Sequence, residues 1–430
     1  MSNLPKGWEE EKLSELVDKI IDYRGKTPKK LGLDWSEKGT YRALSAKSVK
    51  TGGLVNEDQI NLGDEELYKA WMKDEVEYND ILLTSEAPMG EVIIWKSEEK
   101  IILSQRLFAI RVKENISPDY IYYYFMSKTF QSELLARASG TTVVGIKQTE
   151  LLKTNVILPE SPNEQKEIAN ILSSFDKKIE LLKEQNQTLE TMAQTIFKEW
   201  FVDFNYPNAT GEMIDSEMGE IPKGWKISDL RNLSEVISKG TTPIKSEKEK
   251  LLENIYFLKV KDITDNGNIK YDSLEKISFE IHTTVLKRSQ LKTDDLLYSI
   301  AGTIGRIAIL PKQLDNSNCN QALAFIRLKE KNKYLEYIHQ WIQTSQIKNK
   351  INSSIVQGVQ ANVSLTVLGN LLIIIPDDKT VENWMNVIKP IYKKIKNNSK
   401  QIQTLEKTRD SLLSKLMSGK IRLKDFDESN

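Results

Sequence analysis

One cysteine, Cys319, stands in a chain of 430 residues. That scarcity excludes an intramolecular disulfide and any cysteine-built zinc site. Only two histidines occur, His282 and His339. They fall in different segments, with no spacing that suits a metal site or a Ser-His-Asp site. No GxxxxGK[ST] phosphate loop is present. The GTIG at 302–305 is too short for a dinucleotide fingerprint and reads as a tight turn. No Asn/Asp-Pro-Pro-Tyr/Phe stretch of the adenine methyltransferase kind is found. The PDDK at 376–379 looks like a nuclease fragment, but it lies where a helix begins, and aspartate there is ordinary capping chemistry. The chain offers no complete catalytic constellation.

Long apolar runs are also missing. None reaches the roughly 18–20 residues that span a bilayer. The opening MSNLPKGWEE lacks a basic stretch followed by an apolar one, so a cytoplasmic protein is expected. Net charge is absent too, with 61 basic and 61 acidic side chains. That balance argues against a protein that coats nucleic acid without regard to sequence, and leaves room for a local basic groove. Residues 1–160 carry 22 basic and 26 acidic side chains, whereas 221–377 carry 22 and 16.

What is present begins with a seam. Ile168, Phe175, Leu182, Leu189 and Ile196 interleave with Leu172, Ile179, Asn186, Ala193 and Trp200. Steps of four and three held over four heptads mark a coiled-coil seam. No proline or glycine interrupts 163–203. A second seam near the C-terminus interleaves Trp384, Ile391, Asn398, Leu405 and Leu412 with Ile388, Ile395, Ile402, Arg409 and Leu416. Charge favours pairing the two: 161–220 holds 5 basic and 12 acidic residues, 378–430 holds 12 and 7. Opposite flanking charge selects partner and orientation. If the helices run antiparallel with Asn186 mated to Asn398, residue numbers across the seam add to 584. Phe175 then faces Arg409, Leu182 faces Ile402, Leu189 faces Ile395 and Trp200 faces Trp384. This register keeps the two asparagines from lying alone in an apolar layer.

The chain is also one unit written twice. LPKGW at 4–8 recurs as IPKGW at 221–225, and GKTP at 25–28 as GTTP at 240–243. NDILLT at 79–84 matches DDLLYS at 294–299, and QRLFAIR at 105–111 matches QALAFIR at 321–327. Gly90 falls opposite Gly305 and Tyr120 opposite Tyr337. Pro159 and Pro376 each close a β-type run, and a helix follows, with QTLE at 187–190 against 403–406. The offset stays at 214–218, which means a duplicated domain plus helix rather than a solenoid. Within each copy, short runs such as 91–95, 101–103, 107–112, 306–310 and 322–328 have strand character. Residues 119–139 and 334–354 read as helices.

The expected fold is therefore α/β (α+β): two similar mixed α/β domains separated by two long helices that pair as an antiparallel coiled coil, with an internal pseudo-two-fold. The expected boundaries are 1–160 for the first domain, 161–204 for a helical spacer and 205–220 for a linker. Residues 221–377 form the second domain, 378–422 the second spacer and 423–430 a tail. Trp8 and Trp225, beside a Pro-Lys-Gly turn, read as core residues. Phe197, Trp200 and Phe201 give the first helix an aromatic end.

Two linked domains related by a two-fold suit the reading of two half-sites on a duplex. The ordered set of motifs, closed by SLLSKLMSGKIR at 411–422, resembles the specificity subunit of type I restriction–modification systems over nearly the whole chain. The resemblance implies two target recognition domains on a bipartite double-stranded DNA site. It implies helices that act as a ruler and dock two methyltransferase subunits, with restriction subunits beyond. S-adenosylmethionine, ATP and magnesium belong, by the same implication, to those partners. No catalytic residue and no metal site is assigned to this chain. The competing functions are a duplicated coiled-coil scaffold that binds protein partners only, and a self-sufficient DNA-modifying enzyme.

Phosphates call for Lys, Arg or small polar donors on loops, and bases for Arg, Lys, Asn and Gln. In the first domain the candidates are Arg24, Lys26, Thr27, Lys29, Lys30, Lys47, Ser48, Lys50, Ser85, Gln105, Arg106, Thr141, Thr142, Lys147 and Gln148. In the second they are Lys239, Thr241, Thr242, Lys245, Lys259, Lys261, Ser299, Thr303, Arg306, Asn320, Gln321, Gln357, Gln360 and Asn362. Gly-flanked loops on a rigid scaffold are favoured.

Overall fold

A computed structural model describes residues 4–243, 253–271, 273–355 and 362–422. Lys245, Gln357, Gln360 and the tail lie outside the described residues. The chain divides into two compact units, 1–184 with 398–430, and 185–397.

The first unit is built on an antiparallel four-stranded sheet in the order Val17–Asp22, Leu107–Val112, Ile81–Thr84, Val92–Ile94. Its central strands are apolar except at Arg111 and Thr84, so both faces must be covered. Alternation decides which residue serves which face. Ile81, Leu83, Phe108 and Ile110 join a core with the helices Pro118–Met126 and Lys128–Arg137. Leu82, Ile93, Leu107 and Ala109 join a second core with the helix Glu65–Trp71 and a small sheet. That small sheet pairs Tyr41–Leu44 antiparallel to Leu62–Gly63 and parallel to Ile102–Leu103. Trp8–Lys12 pairs with Asn155–Pro159 at the margin.

The second unit repeats this topology by itself. Its four-stranded sheet runs Ser234–Lys239, Leu323–Leu328, Leu296–Ser299, Ile307–Ile309. Leu296, Tyr298, Ala324 and Ile326 face one core, and Leu297, Ala308, Leu323 and Phe325 face the other. Small interactions repeat with the strands. The Tyr120 hydroxyl donates to the Ile157 carbonyl at 2.9 Å, and that of Tyr337 to Ile374 at 2.6 Å. Trp8 and Trp225 are buried, with Nε1 donating to Glu164 and Asp377. Arg111 grips the buried Asp80 through Nε and Nη2 at 2.9 and 2.8 Å, and Arg327 grips Asp295 at 2.8 and 2.7 Å.

Two expected helices are each split. Residues 119–139 form Pro118–Met126 and Lys128–Arg137, and 334–354 form Lys331–Gln343 and Ser345–Ser353. Ser127 and Thr344 adopt extended backbone at the breaks, and the Ser127 hydroxyl caps the following turn by accepting from the Phe130 amide. The apolar period continues through each break, so periodicity alone does not reveal it. The linker contains a two-stranded ribbon, Met213–Ile214 against Ile221–Pro222.

The long helices span Pro162–Phe201 and Asp378–Leu416. In the first unit Ile168, Ala169 and Leu172 pack in one core with Leu413, Leu416 and Met417. Arg409 Nη1 meets Asp176 Oδ1 at 2.6 Å, and Arg422 approaches Glu164 at 3.8 Å. The numbers of these pairs add to 585 and 586, so the segments run antiparallel within two residues of the expected register. Asp176 also accepts from the Tyr123 hydroxyl. Phe175 is half-buried, and Arg409 reaches past it to the neighbouring carboxylate. In the second unit Phe197 and Phe201 lie against Trp384, with ring centroids 5.6 and 5.4 Å apart. Asp377 caps the second helix, accepting from the Thr380 amide at 3.0 Å and the Thr380 hydroxyl at 2.7 Å. Asn398 is buried in the first unit, and Asn186 is half-buried in the second.

Candidate nucleic-acid interface

In each unit the turn after a central strand organises a set of loops. Thr84 ends the strand, and its hydroxyl accepts from the Glu91 amide at 2.8 Å while its carbonyl accepts from Gly90. Ser299 does the same with Arg306 and Gly305. Gly90 and Gly305 have φ of 90° and 98°, a conformation open to glycine and strained for other residues. A side chain at Gly90 would in addition strike Gln131.

Three further segments meet this turn. Ser85 N donates to the Arg106 carbonyl at 2.8 Å, and Ile146 N donates to the Ser85 carbonyl at 2.9 Å. Arg24 Nη1 donates to the Ile146 carbonyl at 3.0 Å. The early turn, the Gln105–Arg106 turn and the loop 139–147 are thereby tied together. In the second unit Ile300 N donates to the Ala322 carbonyl and Val363 N to the Ile300 carbonyl, each at 2.9 Å. Gly240 sits so close to the Cys319 and Asn320 carbonyls that a Cβ would lie 2.0–2.3 Å from them. On the other flank, Gly52 N donates to Val92, and the Thr51 hydroxyl donates to Glu91 at 2.6 Å. The matching segment holds Val260, whose carbonyl accepts from Arg306 Nη1 at 3.3 Å.

The convergence brings together Arg24, Ser85, Gln105, Arg106, Thr141, Thr142, Lys147 and Gln148, with Lys47, Ser48 and Lys50 on the second flank. In the second unit it brings together Lys239, Thr241, Thr242, Ser299, Thr303, Asn320, Gln321 and Asn362, with Lys259, Lys261 and Arg306 alongside. The side chains differ in availability. Ser48, Ser85 and Ser299 are buried and do not present to a ligand; the Ser48 and Ser299 hydroxyls bond within their turns, while Ser85 Oγ has no hydrogen-bond partner among the described residues. Thr27 caps the short helix Pro28–Leu31. Lys26 donates to the Trp71 carbonyl at 2.7 Å and lies over the Tyr23 ring; burial, then the Lys73 charge, lower its pKa. Lys30 folds back on the Gly25 carbonyl.

Half of the described candidate cations are already paired with carboxylates. Arg24 binds Asp22, Lys50 binds Glu91, Arg106 meets Glu86, Lys259 and Lys261 share Glu275, and Arg306 binds Asp265. Burial raises the Glu91 pKa, but Lys50 and Thr51 outweigh it and hold the carboxyl below its usual range. Lys29, Lys47, Lys147 and Lys239 are exposed, with no carboxylate partner among the described residues. Thr242 donates to Gln321, while Asn320 Oδ1 is buried with no partner among the described residues. Sequence reasoning missed the acidic partners: Glu86, Glu91, Glu275 and Asp265 lie 14 to 41 residues from their cations and nothing local marks them as mates, and Asp22, two residues before Arg24, was not weighed as its partner. It also missed Val143 and Val144, exposed at the tip of the 139–147 loop, where apolar contact with a thymine methyl is chemically available.

A family model described as type I restriction modification DNA specificity domain matches the chain twice, over residues 5–191 and 222–407. The chain is 31% identical over 355 residues to the type I restriction enzyme MjaIX specificity subunit of Methanocaldococcus jannaschii, covering 80% of this chain and 78% of that protein. It is 24% identical over 441 residues to the MjaVIII specificity subunit of the same organism, covering 99% and 95%. The crystal structure of a type I restriction–modification S subunit from M. genitalium has a similar fold, with a TM-score of 0.54, 16% identity and 97% of each chain covered.

Proposed function

This chain belongs to the type I restriction modification DNA specificity family, and we propose that it is the sequence-reading subunit of such a complex. In this reading, residues 1–160 and 221–377 each recognise one half of a bipartite duplex target. The observation that carries the reading is the duplicated loop site. The same backbone hydrogen bonds recur at offsets of 215–217, from Ser85, Ile146 and Arg106 to Ile300, Val363 and Ala322. The side chains mounted on that frame differ, with Arg24, Glu86 and Arg106 in one copy against Lys239, Ala301 and Ala322 in the other. A constant frame with variable side chains is what two different half-sites require.

The chain itself contributes no chemistry in this reading. Methyltransferase subunits supply S-adenosylmethionine-dependent methylation, and restriction subunits supply ATP- and magnesium-dependent steps. The long helices dock the methyltransferase subunits. A shallow groove on the first helix, lined by Gln187, Thr188, Thr191, Met192, Thr195 and Ile196, is compatible with a partner helix. Asn186 and Asn398 are proposed to set the register of the helix pair.

The test is genome-wide adenine methylation in cells that carry this chain with its neighbouring methyltransferase gene, compared with cells lacking only this chain. Loss of one bipartite methylated motif is expected. Unchanged methylation, together with only weak binding to every duplex by the purified partner complex, would replace this function with that of a protein scaffold.

A further inference from the structure

The geometry points to Arg106 as the side chain with which the first recognition domain reads a guanine, an inference that rests on the DNA-reading function proposed above. Arg106 sits at φ 66°, in the left-handed region that a bulky residue rarely adopts. Non-glycine residues held there cluster at functional sites. Its carbonyl accepts from Ser85 N, and the preceding Gln105 carbonyl accepts from Ala46 N at 3.2 Å. Two parts of the domain therefore hold this turn in place.

The side chain is 43% exposed, and its Nε meets Glu86 Oε1 at 2.8 Å. Among the described residues it donates no side-chain hydrogen bond within the chain that would occupy Nη1 and Nη2. Each of the other arginines of the two recognition surfaces has at least one terminal nitrogen spent within the chain. Arg24 spends Nε and Nη2 on Asp22 and Nη1 on Ile146. Arg306 is tied to Asp265 and to the Val260 carbonyl. Arg106 alone of these three leaves both Nη1 and Nη2 unspent among the described residues, with a carboxylate on Nε to fix the guanidinium plane. A planar fork matches guanine O6 and N7 together. Glu86 acts as a positioning residue in this arrangement, because it touches the arginine and not the base.

The repeat sharpens the inference. The position equivalent to Arg106 is Ala322, and that of Glu86 is Ala301. Neither can hydrogen-bond through its side chain, so the guanine reader belongs to one half-site only.

The experiment uses the full chain in complex with its methyltransferase partner. Duplexes varied at each base pair of the target are assayed for methylation. Wild type should prefer G·C at one position of the first half-site by roughly 5- to 150-fold, the discrimination of one bidentate pair. Arg106→Ala should remove that preference and leave the second half-site unchanged. Arg106→Gly should do the same while relieving the left-handed backbone, which separates lost recognition from lost folding. Arg106→Lys keeps the charge without the fork, and should retain binding but lose most of the discrimination. Glu86→Gln should weaken the preference without changing the preferred base. A uniform loss over all sequences in Arg106→Ala would make Arg106 a phosphate contact and overturn the inference, as would a first half-site with no G·C pair. A wild-type complex that methylates no motif would instead overturn the proposed function.

Discussion

At the scale of single residues, two side-chain classes make opposite demands. Asp295 is buried, accepts the Arg327 fork at Nε and Nη2, and receives the Lys292 amide at 2.7 Å. Removing one partner of such a pair strands the other charge, at a cost of about 3–5 kcal/mol. Asp295→Ala should therefore lower the urea midpoint strongly, and the double variant Asp295→Leu, Arg327→Met should recover much of the loss. A cost for the single variant under about 1 kcal/mol would show the pair to be dispensable. The exposed Lys147 makes the contrary demand. If it meets a phosphate, Lys147→Ala should weaken binding on every sequence alike. The slope of log affinity against log salt should shallow by about 0.9; an unchanged slope would remove Lys147 from the interface. The sequence placed Lys147 on a loop and Asp295 in a repeated strand motif. It did not reveal that Lys50 and Arg306 are neutralised at the surface, because Glu91 and Asp265 come from segments that only the fold brings near; Arg24 is held by Asp22, two residues before it.

At the scale of elements, the long helices were legible because a seven-residue apolar repeat leaves few alternatives, and the strands because Ile, Val and Leu runs recur at matching places in both copies. The breaks at Ser127 and Thr344 were hidden, since the Ser127 cap and the Thr344 hydroxyl bond back to Trp341 are local while the apolar stripe runs on. Pro390 is a further local feature inside the second long helix, and it is exposed. Proline there removes one amide and leaves the Asn386 carbonyl without its helical donor. The exposed ring gains little burial to repay that loss. Pro390→Ala should stabilise the chain, by up to about 3 kcal/mol on the intrinsic helix scale, read as a rise in the thermal or urea midpoint. A fall in midpoint would mean that a bend at Pro390 is needed for packing of the neighbouring Tyr392, whose hydroxyl contacts Gln340.

At the scale of the whole molecule, duplication was the most legible feature, and it makes the strongest functional demand. Each copy of the recognition frame has cores of its own: one pair around 81–110, the other around 296–326. A domain with its own core carries its loops with it when moved. The loops that read one half-site should then be transferable without the loops that read the other. Replacing residues 1–160 with the corresponding segment of a relative of different specificity should change one half of the methylated motif and leave the other half in place. The motif is read by sequencing methylated adenines in cells that carry the chimera and the unaltered methyltransferase. A change in both halves would show that recognition is shared between the copies. Loss of all methylation with an intact, partner-bound chimera would show that residues 1–160 do more than read bases. Net charge sharpens the expectation. The copy at 221–377 holds six more basic than acidic residues, and that at 1–160 four fewer. Phosphate attraction in the second copy is therefore less dependent on local placement of lysines. A chimera with a more basic first segment should bind unrelated duplex more tightly at low salt, and lose that gain as salt screens it, while the base preference of the second half-site stays fixed.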